Sequence, residues 1–388
     1  MLVFLGLAVA LASAEGFARW VSPVPSEYLL PLPYKHDELL RIAAGDAYVR
    51  FDRELGWTPA INVVRKDHDV VYRTNRDAMR ADIEYSIDPI PGRSRVAAFG
   101  DSFTYCEEVD FDDCWTSQLE HAWNQTEILN FGVPGFAPDQ AWLHYARDGR
   151  KYHPCAVLIG LIPENINRIV NRFRPFYEPA GGLVLSKPRF VMVGDDLELL
   201  PNPAESPEML DDPVWVETNL EPNDQWYFPG TFVGNPLDAL QLVRILRTAA
   251  FNRRPQGLEF SETWAKQLAH VYRDRGDALG LMAEILKRFA AQVRMDGATP
   301  VVVLFGTEIE LREYRSGQSP FYEPLVERLT EEDVAVIDTL KALANEKRQS
   351  GVDSIIEHHY RPLGNRVIAE ELARKLPNLT AATCGGSN

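Results

Sequence analysis

The chain has 388 residues, of which 45% are hydrophobic and 25% are charged, a composition typical of a folded soluble protein with one large domain or two smaller ones. Its 56 acidic and 40 basic residues give a formal net charge of −16. This excess of negative charge disfavours generic binding to nucleic acid or to anionic membrane surfaces, so we expect no nucleic-acid partner.

The first segment, residues 1–19, opens with an unbroken run of apolar and small residues from Met1 to Ala14. This run is shorter than the roughly 20 residues that span a bilayer. Ala12-Ser13-Ala14 fits a signal-peptide cleavage site, although no basic residues precede the run. We expect a signal peptide or an anchor, hence an extracytoplasmic protein that meets a membrane only through that anchor. The alternative is a buried N-terminal helix.

Residues 20–93 lack the alternation of strands and helices that follows them. They are rich in Pro, Tyr and Arg and contain short alternating runs at 48–51 and 70–72. We interpret them as a β-rich preamble that packs on the core near the mouth of the site. The alternative is a surface wrap with no role in the site.

Residues 94–378 carry the core pattern. Short apolar runs typical of buried strands lie at 95–99, 127–131, 156–159, 299–305 and 334–337. Helical patterns lie between and after them, at about 113–123, 138–150, 237–252, 261–295 and 363–376. This alternation predicts an α/β domain with a parallel sheet of about five strands, covered on both faces. We expect the tail, 379–388, to be disordered.

The core pattern is interrupted at about 171–236 by a long insertion rich in Pro, Asp and Glu, which we predict to contain a hairpin at 189–200. Its aromatic residues disfavour disorder. We expect either a lid that contacts substrate, whose aromatic rings could stack on sugars, or an insertion that buries a small core of its own. Arg168, Arg172 and Arg174 cluster where the insertion starts and could form a local basic patch.

The segment Phe99-Gly100-Asp101-Ser102-Phe103-Thr104 places a serine where a predicted strand ends, the edge at which open parallel sheets bind ligands. A serine hydroxyl becomes a useful nucleophile only with a base within hydrogen-bond reach and with donors for the oxyanion that it creates. The alternative for Ser102 is that it only caps a helix. Asp101 is interpreted as a structural residue that binds loop amides.

A histidine near the other end of the chain completes a resemblance. The blocks that carry it are Gly100-Asp101-Ser102-Phe103-Thr104, Asn130-Phe131-Gly132-Val133-Pro134-Gly135, 157–165, and His359-Tyr360-Arg361-Pro362-Leu363-Gly364-Asn365. Over about 95–375 they resemble, in order, the SGNH (GDSL-type) hydrolase superfamily and its bacterial extracytoplasmic esterases and acyltransferases. A different hydrolase motif, Gly-x-Ser-x-Gly, is excluded because Thr104 stands at its second glycine.

The resemblance implies a flavodoxin-like three-layer α/β/α sandwich and a set of site residues. It implies Ser102 as nucleophile and His359 as base, with the adjacent His358 as the alternative. It implies an acid two or three residues before His359, where Glu357 stands, so we expect Glu357 to orient the imidazole as the acid of a catalytic triad does. Asp353, or a backbone carbonyl, is the reserve.

The resemblance also implies an oxyanion hole built from the amides of Ser102 and Gly135 and the side-chain amide of Asn165. Because Pro163 and Glu164 change that block, Asn167 is an alternative donor. Neither a metal nor an organic cofactor is implied.

The chain has four cysteines, Cys106, Cys114, Cys155 and Cys384, without the close spacing of a zinc site. In an exported protein Cys106 and Cys114 could bridge and stiffen the loop after Ser102. The alternative, which the sequence slightly favours, is two unpaired thiols.

The function that this pattern predicts is a serine esterase that cleaves a small acyl ester, an O-acetyl group on a carbohydrate being one example, through an acyl-enzyme on Ser102. The expected partner is thus a small acyl ester or an acylated glycan. Two alternatives stay open: a polysaccharide O-acyltransferase with the same triad, and a non-catalytic carbohydrate-binding protein on a hydrolase fold.

Overall fold

The computed structural model describes residues 2–21, 31–123, 125–178, 182–229, 236–252, 262–273, 277–350 and 355–384. Its strands are β1 (Val49–Asp52), β2 (Gly56–Pro59), β3 (Val64–Asp67), β4 (Val70–Arg73), β5 (Ser94–Gly100), β6 (Thr126–Gly132), β7 (Ala156–Leu161), β8 (Arg189–Val193), β9 (Asp196–Leu200), β10 (Thr299–Leu304) and β11 (Ala335–Asp338). Its α-helices are α1 (Leu2–Val21), α2 (Pro31–Ala44), α3 (Ser102–Tyr105), α4 (Trp115–Ala122), α5 (Pro138–His144), α6 (Asn165–Arg168), α7 (Arg174–Tyr177), α8 (Pro213–Leu220), α9 (Gln241–Asn252), α10 (Glu262–Arg273), α11 (Asp277–Met295), α12 (Glu308–Arg315), α13 (Glu323–Glu331), α14 (Leu340–Ser350) and α15 (Pro362–Cys384).

Five strands form one parallel sheet in the order β11-β10-β7-β5-β6. Every residue of the central strand β7 is buried, as expected where helices cover both faces. Helices α4, α14 and α15 pack together on one side, and α5, α11 and α13 on the other. The predicted three-layer α/β/α class is therefore confirmed, and the strand order is the flavodoxin-like one.

Three glycines make room for the helical turn that carries Ser102. Gly100, at the end of β5, pairs in register with Gly132 of β6 and Gly160 of β7. A Cβ on Gly132 would lie 2.3 Å from the backbone nitrogen of Tyr105, and one on Gly160 would lie 2.4 Å from Oγ1 of Thr104. Only glycine at the strand ends lets α3 approach this closely, so the sheet edge fixes where the serine lies.

The preamble and the insertion share a second hydrophobic core. The preamble contains the antiparallel pairs β1–β2 and β3–β4, and the insertion contains the predicted hairpin as β8–β9. Buried side chains from both segments form one cluster that includes Leu55, Trp57, Phe173, Leu210 and Val216. The insertion therefore buries a core, as one of the two expectations had it, but it shares that core with the preamble.

Helix α1 is long and apolar enough to cross a membrane by length and composition, with a mean hydropathy of 1.3 over Phe4–Val21. Most of its side chains are exposed, so the alternative of a buried N-terminal helix is wrong. Its helical span exceeds the apolar run read from the sequence, because the helix continues through Glu15 to Val21. Signal peptide and anchor both remain predictions.

Both pairs of cysteines are joined. Cys106 and Cys114 form a disulfide with their Cα atoms 5.5 Å apart, so the interpretation as two unpaired thiols is wrong. Cys155 and Cys384 form a second disulfide. It ties the end of α15 to the start of β7, and the tail expected to be disordered is helical as far as Cys384. Residues 385–388 lie outside the described residues.

Candidate active site

A cavity of about 450 Å³ opens at the carboxyl ends of the strands. Ser102 and His359 line it beside Gly135, and Tyr177 and Leu183 of the insertion line it from the other side. It lies at the edge where the topology of an open parallel sheet places ligand sites. This placement agrees with the expectation that the insertion contacts the site.

Ser102 occupies the first position of the single-turn helix α3. The preceding residue, Asp101, has extended backbone and caps the turn by accepting a hydrogen bond of 3.0 Å from the amide of Phe103. The amide of Ser102 itself donates to no group among the described residues. Burial raises the pKa of Asp101, and Arg168 and Asn165 oppose that rise. Asp101 therefore has the structural role that the sequence predicted.

The Oγ atom of Ser102 lies 2.9 Å from Nε2 of His359. The histidine loop is held in place by Tyr360, whose hydroxyl donates to the carbonyl of Gly306 at 2.7 Å. Asn365 also holds this loop, because its side-chain amide donates to the carbonyl of Tyr360 at 2.9 Å. The adjacent His358 is exposed on the rim of the cavity, so the structure brings His359 and not His358 to Ser102.

Glu357 does not orient the imidazole. Its side chain is 61% exposed and pairs with Arg361, four positions further along the chain. The physical reason is the direction of the loop: the backbone bridge between Ile356 and Tyr360 turns Glu357 towards solvent. The expectation for Glu357 is therefore corrected, and the reserve candidate Asp353 lies outside the described residues.

Two other carboxylates face the imidazole, and both come from the loop after Ser102. Oε1 of Glu108 lies 3.1 Å from Nδ1 of His359, and Oε2 of Glu107 lies 3.3 Å from Nε2. The contact of Glu108 is at ion-pair distance, but the Nδ1–H bond does not point along it well enough to form a hydrogen bond. Glu108, and not Glu357, is therefore the carboxylate beside Nδ1 of His359.

The loop that presents these carboxylates is tightly constrained. Cys106 and Glu108 both have left-handed backbone, with φ of 63° and 69°. The amide of Glu107 donates to the carbonyl of Ser102 at 3.0 Å, and the amide of Glu108 donates to the hydroxyl of Tyr72 at 2.9 Å. The Cys106–Cys114 disulfide closes the loop, and the two cysteines are the one sequence signal that could have drawn attention to it.

The carboxylates set the charge state of the histidine. Burial by itself would lower the pKa of His359, but the nearby carboxylates of Glu108 and Glu107 outweigh burial and raise it. The interaction with His359 lowers the pKa of Glu108. Partial burial in the cavity raises the pKa of Glu107. The imidazole can therefore accept a proton readily, because its cationic form is stabilised from both sides.

The structure supports part of the expected oxyanion hole. Gly135 lines the cavity beside Ser102, with φ of 78° that favours glycine, and its amide donates to no group among the described residues. Asn165 is turned elsewhere: its Nδ2 donates to Asp101 at 3.0 Å and its Oδ1 accepts from the amide of Ile162. Asn165 does not line the cavity, and neither does its alternative Asn167, whose buried Nδ2 has no hydrogen-bond partner among the described residues.

Arg168 and Glu164 face the cavity where an asparagine was expected. The guanidinium of Arg168 lies 2.7 Å from Glu164 and 3.5 Å from Asp101, and it donates to the carbonyl of Phe136 at 3.1 Å. Although burial opposes it, these carboxylates raise the pKa of Arg168, which therefore stays charged. Among the described residues no group of three His, Cys, Asp or Glu side chains could hold a metal ion.

Comparisons with known proteins find similarity in solved structures. No protein-family model matches the chain, and no curated protein matches it by sequence. The chain is similar to the lipase/acylhydrolase from Enterococcus faecalis (11% identity, 74% of this chain and 96% of that chain, TM-score 0.37). It is also similar to a catalytic mutant of an acetylxylan esterase from Geobacillus stearothermophilus (12%, 74% and 94%, TM-score 0.38) and to a member of the lipolytic protein G-D-S-L family from Veillonella parvula DSM 2008 (12%, 74% and 100%, TM-score 0.34).

Proposed function

We propose that this protein is a serine esterase of the SGNH type that cleaves small acyl esters through an acyl-enzyme on Ser102. The observation that carries the proposal is the 2.9 Å distance between Oγ of Ser102 and Nε2 of His359. That distance lets the imidazole accept the hydroxyl proton as the oxygen attacks. A distance far beyond hydrogen-bond reach would have removed the basis for catalysis and favoured the non-catalytic alternative.

In the first half-reaction, Oγ of Ser102 forms a bond to the carbonyl carbon of the ester while its proton moves to Nε2 of His359. The amides of Ser102 and Gly135, which have no other partner among the described residues, can donate to the resulting oxyanion. His359 then gives its proton to the departing alkoxide as the ester C–O bond breaks. Glu108 stabilises the imidazolium during this exchange, and Glu107 adds to that effect.

In the second half-reaction, a water molecule attacks the acyl-enzyme. His359 accepts its proton and then returns a proton to Oγ of Ser102 as the acid is released.

If a sugar hydroxyl attacks instead of water, the same steps transfer the acyl group. The observation that favours such a transferase is the position of Tyr177 and Leu183, which wall the cavity from the insertion and would limit access of water.

The experiment that tests the proposal is the hydrolysis of p-nitrophenyl acetate by the wild type and by Ser102→Ala, each with and without an oligosaccharide acceptor. We expect the variant to lose turnover, and a matched control, Ser316→Ala at an exposed helix end, to keep it. An acetylated sugar among the products would identify the transferase. Equal turnover in the wild type and in Ser102→Ala would contradict both enzymatic functions.

We also propose that the protein works outside the cytoplasm. The apolar helix α1 and two disulfides support this, because disulfides persist in oxidising compartments. Detection of both disulfides by non-reducing mass spectrometry of the protein from its own cells, with trapped thiols, would test it. Free thiols at all four cysteines would contradict it.

A further inference from the structure

The acidic loop, which we define as residues 106–110, is bonded to the preamble through its backbone. The amide of Glu108 donates to the hydroxyl of Tyr72 at 2.9 Å. The carbonyl of Val109 accepts from Nη2 of Arg80, also at 2.9 Å. Two consecutive residues of the loop are thus held by preamble side chains that lie 36 and 29 positions earlier in the chain.

Arg80 is a fully buried cation that packs on tyrosine rings. Its guanidinium lies over the ring of Tyr72 at 4.5 Å and over the ring of Tyr105 at 5.2 Å, and the two rings stack on each other. The ring faces stabilise the positive charge. Since Tyr105 ends α3 and Val109 follows the two glutamates, Arg80 contacts the chain on both sides of the carboxylates.

The acidic loop has a backbone conformation that depends on such support. Cys106 and Glu108 both have left-handed backbone, which residues other than glycine rarely adopt. Such residues persist where the surrounding structure holds them in place. The disulfide of Cys106 fixes the start of the loop, and the carboxylate of Asp110 accepts from the amide of Val71 at 2.8 Å at its end. The bonds from the preamble hold the part between them.

The position of the acidic loop sets the distance between its carboxylates and the imidazole. Oε1 of Glu108 lies 3.1 Å from Nδ1 of His359, and Oε2 of Glu107 lies 3.3 Å from Nε2. Together with Asp101, these carboxylates raise the pKa of His359 against the effect of burial. A shift of the loop away from the imidazole would weaken both contacts, because the attraction between charges falls with distance and with access of water.

We propose that Arg80 and Tyr72 are positioning residues that hold Glu107 and Glu108 beside His359. The preamble is then part of the catalytic apparatus and not a surface wrap. The role is indirect, since neither Arg80 nor Tyr72 lines the cavity. The inference rests on the proposed function only in taking His359 as the base.

The first measurement is the titration of the His359 imidazole by NMR of histidine-labelled protein, with the signal assigned by its loss in His359→Gln. We expect Tyr72→Phe to move the midpoint to lower pH, because the amide of Glu108 loses its acceptor and the carboxylates move away. Tyr85→Phe is the matched control. Tyr85 is a buried tyrosine of the preamble whose hydroxyl donates to Glu120 at 3.4 Å, so this variant should keep the wild-type midpoint.

A second pair of variants separates positioning from stability. Arg80→Met removes the bond to Val109 and should also move the His359 midpoint to lower pH. Arg95→Met removes another fully buried arginine, one that pairs with Glu127. It should lower the unfolding midpoint without moving the titration of His359, as a purely structural role does.

Kinetics on p-nitrophenyl acetate give the catalytic readout. Tyr72→Phe should lower kcat by about ten- to a hundredfold with little change in KM, the loss expected when a group near the chemistry is displaced by about 1 Å. The acidic limb of its pH–kcat/KM profile should move to lower pH, in step with the NMR midpoint. Tyr85→Phe should leave both unchanged.

The positioning role is overturned if Tyr72→Phe folds and keeps the wild-type midpoint of His359, or if Tyr85→Phe shifts that midpoint as far. Because Tyr72→Phe keeps the ring that packs on Arg80, it decides the matter even if Arg80→Met does not fold. If the wild type hydrolyses no ester, the proposed esterase function has failed instead. The NMR titration, which needs no turnover, then still decides whether Tyr72 and Arg80 hold the carboxylates at His359.

Discussion

Nδ1 of His359 lies 3.1 Å from a carboxylate oxygen of Glu108, a residue only six positions after Ser102 in the chain. Ser102 and the carboxylate that faces Nδ1 of His359 thus lie on one short segment of the chain. The resemblance to SGNH hydrolases had implied an acid at Glu357, which pairs with Arg361 at the surface instead. This arrangement makes the loop after Ser102 the element on which the site depends.

Replacing Glu108 tests its role directly. We expect Glu108→Gln to lower kcat with little change in KM, by as much as the roughly 10⁴-fold loss seen when a triad aspartate is made neutral. The loss arises because an uncharged amide no longer stabilises the imidazolium. Steady-state kinetics on p-nitrophenyl acetate measure it. The matched control Glu357→Gln should behave as the wild type. A larger loss of kcat in Glu357→Gln than in Glu108→Gln would show that Glu357 is the acid after all.

The pH dependence of the reaction follows from the charge on His359. The base must be neutral, and Glu108 and Glu107 raise the pKa of His359 against the effect of burial, with Asp101 adding to the rise. Activity should therefore fall as the pH decreases through a midpoint above 6.5, the ordinary value for histidine. Glu107→Gln removes a carboxylate 3.3 Å from Nε2 and should move that midpoint to lower pH.

The pH–kcat/KM profiles of wild type and Glu107→Gln check this shift. An acidic limb that stays in place, or that moves to higher pH, would mean that Glu107 does not act on the imidazole. Glu54→Gln, a change at an exposed carboxylate outside the cavity, serves as the control.

Removing the first disulfide should mainly lower activity, and removing the second should mainly lower thermal stability. Cys106 and Cys114 are eight positions apart, so removing their bond costs roughly 2.5 kcal/mol of chain entropy, but it frees the loop that holds Glu107 and Glu108. Cys155 and Cys384 close a span of 229 positions away from the site, and removing that bond costs roughly 5 kcal/mol. We expect Cys106→Ser with Cys114→Ser to lower kcat more, and Cys155→Ser with Cys384→Ser to lower Tm more. Thermal unfolding and steady-state kinetics of both double variants measure these losses. A smaller loss of kcat in Cys106→Ser with Cys114→Ser than in Cys155→Ser with Cys384→Ser would show that the loop does not depend on its disulfide.

Gly135→Ala tests whether the backbone amide of Gly135 donates a hydrogen bond to the oxyanion. A Cβ at Gly135 would lie 2.9 Å from Leu183, and φ of 78° strains any other residue, so the amide should shift away from the oxyanion. We expect kcat to fall towards the roughly 10²–10³-fold loss that follows removal of one oxyanion donor. Gly297→Ala has the same strain, with φ of 82° and open space around the new Cβ, and it lies outside the cavity. Kinetics in which both variants lose kcat equally would point to general strain and not to the site.

The buried pair of Lys187 and Asp139 should support the insertion. Nζ of Lys187 lies 2.5 Å from Asp139, and both side chains are almost fully buried. Lys187→Met leaves Asp139 buried without a counter-charge, which should cost about 3–5 kcal/mol of unfolding free energy in urea. Lys187→Met with Asp139→Asn should recover part of that loss. Equal unfolding midpoints for the single and the double variant would show that the two charges are not coupled.

Helices α12, α13 and α14 were not predicted from the sequence, and the roles of Gly135 and His359 were implied by the family resemblance. Local patterns were enough to predict the five strands of the sheet and the segment that carries Ser102. They sufficed because a buried parallel strand is an apolar run of fixed length, and because the turn after β5 needs glycine at the strand ends. The hairpin at β8–β9 was predicted for the same reason, since alternating apolar and polar residues and a Gly–Asp turn are local features.

Only the tertiary structure decided which carboxylate meets His359, which cysteines are joined, and which side chains wall the cavity. Glu108 reaches the imidazole because a left-handed turn and a disulfide fold its loop back, and Asn165 turns to Asp101 because both are buried together. These contacts depend on the directions of side chains in loops brought together from distant parts of the chain. Sequence periodicity assigns residues to the face of a strand or helix, but it does not fix the course of a loop. The sheet and the pairing of Ser102 with His359 could therefore be predicted from the sequence, whereas the carboxylates beside His359 could not.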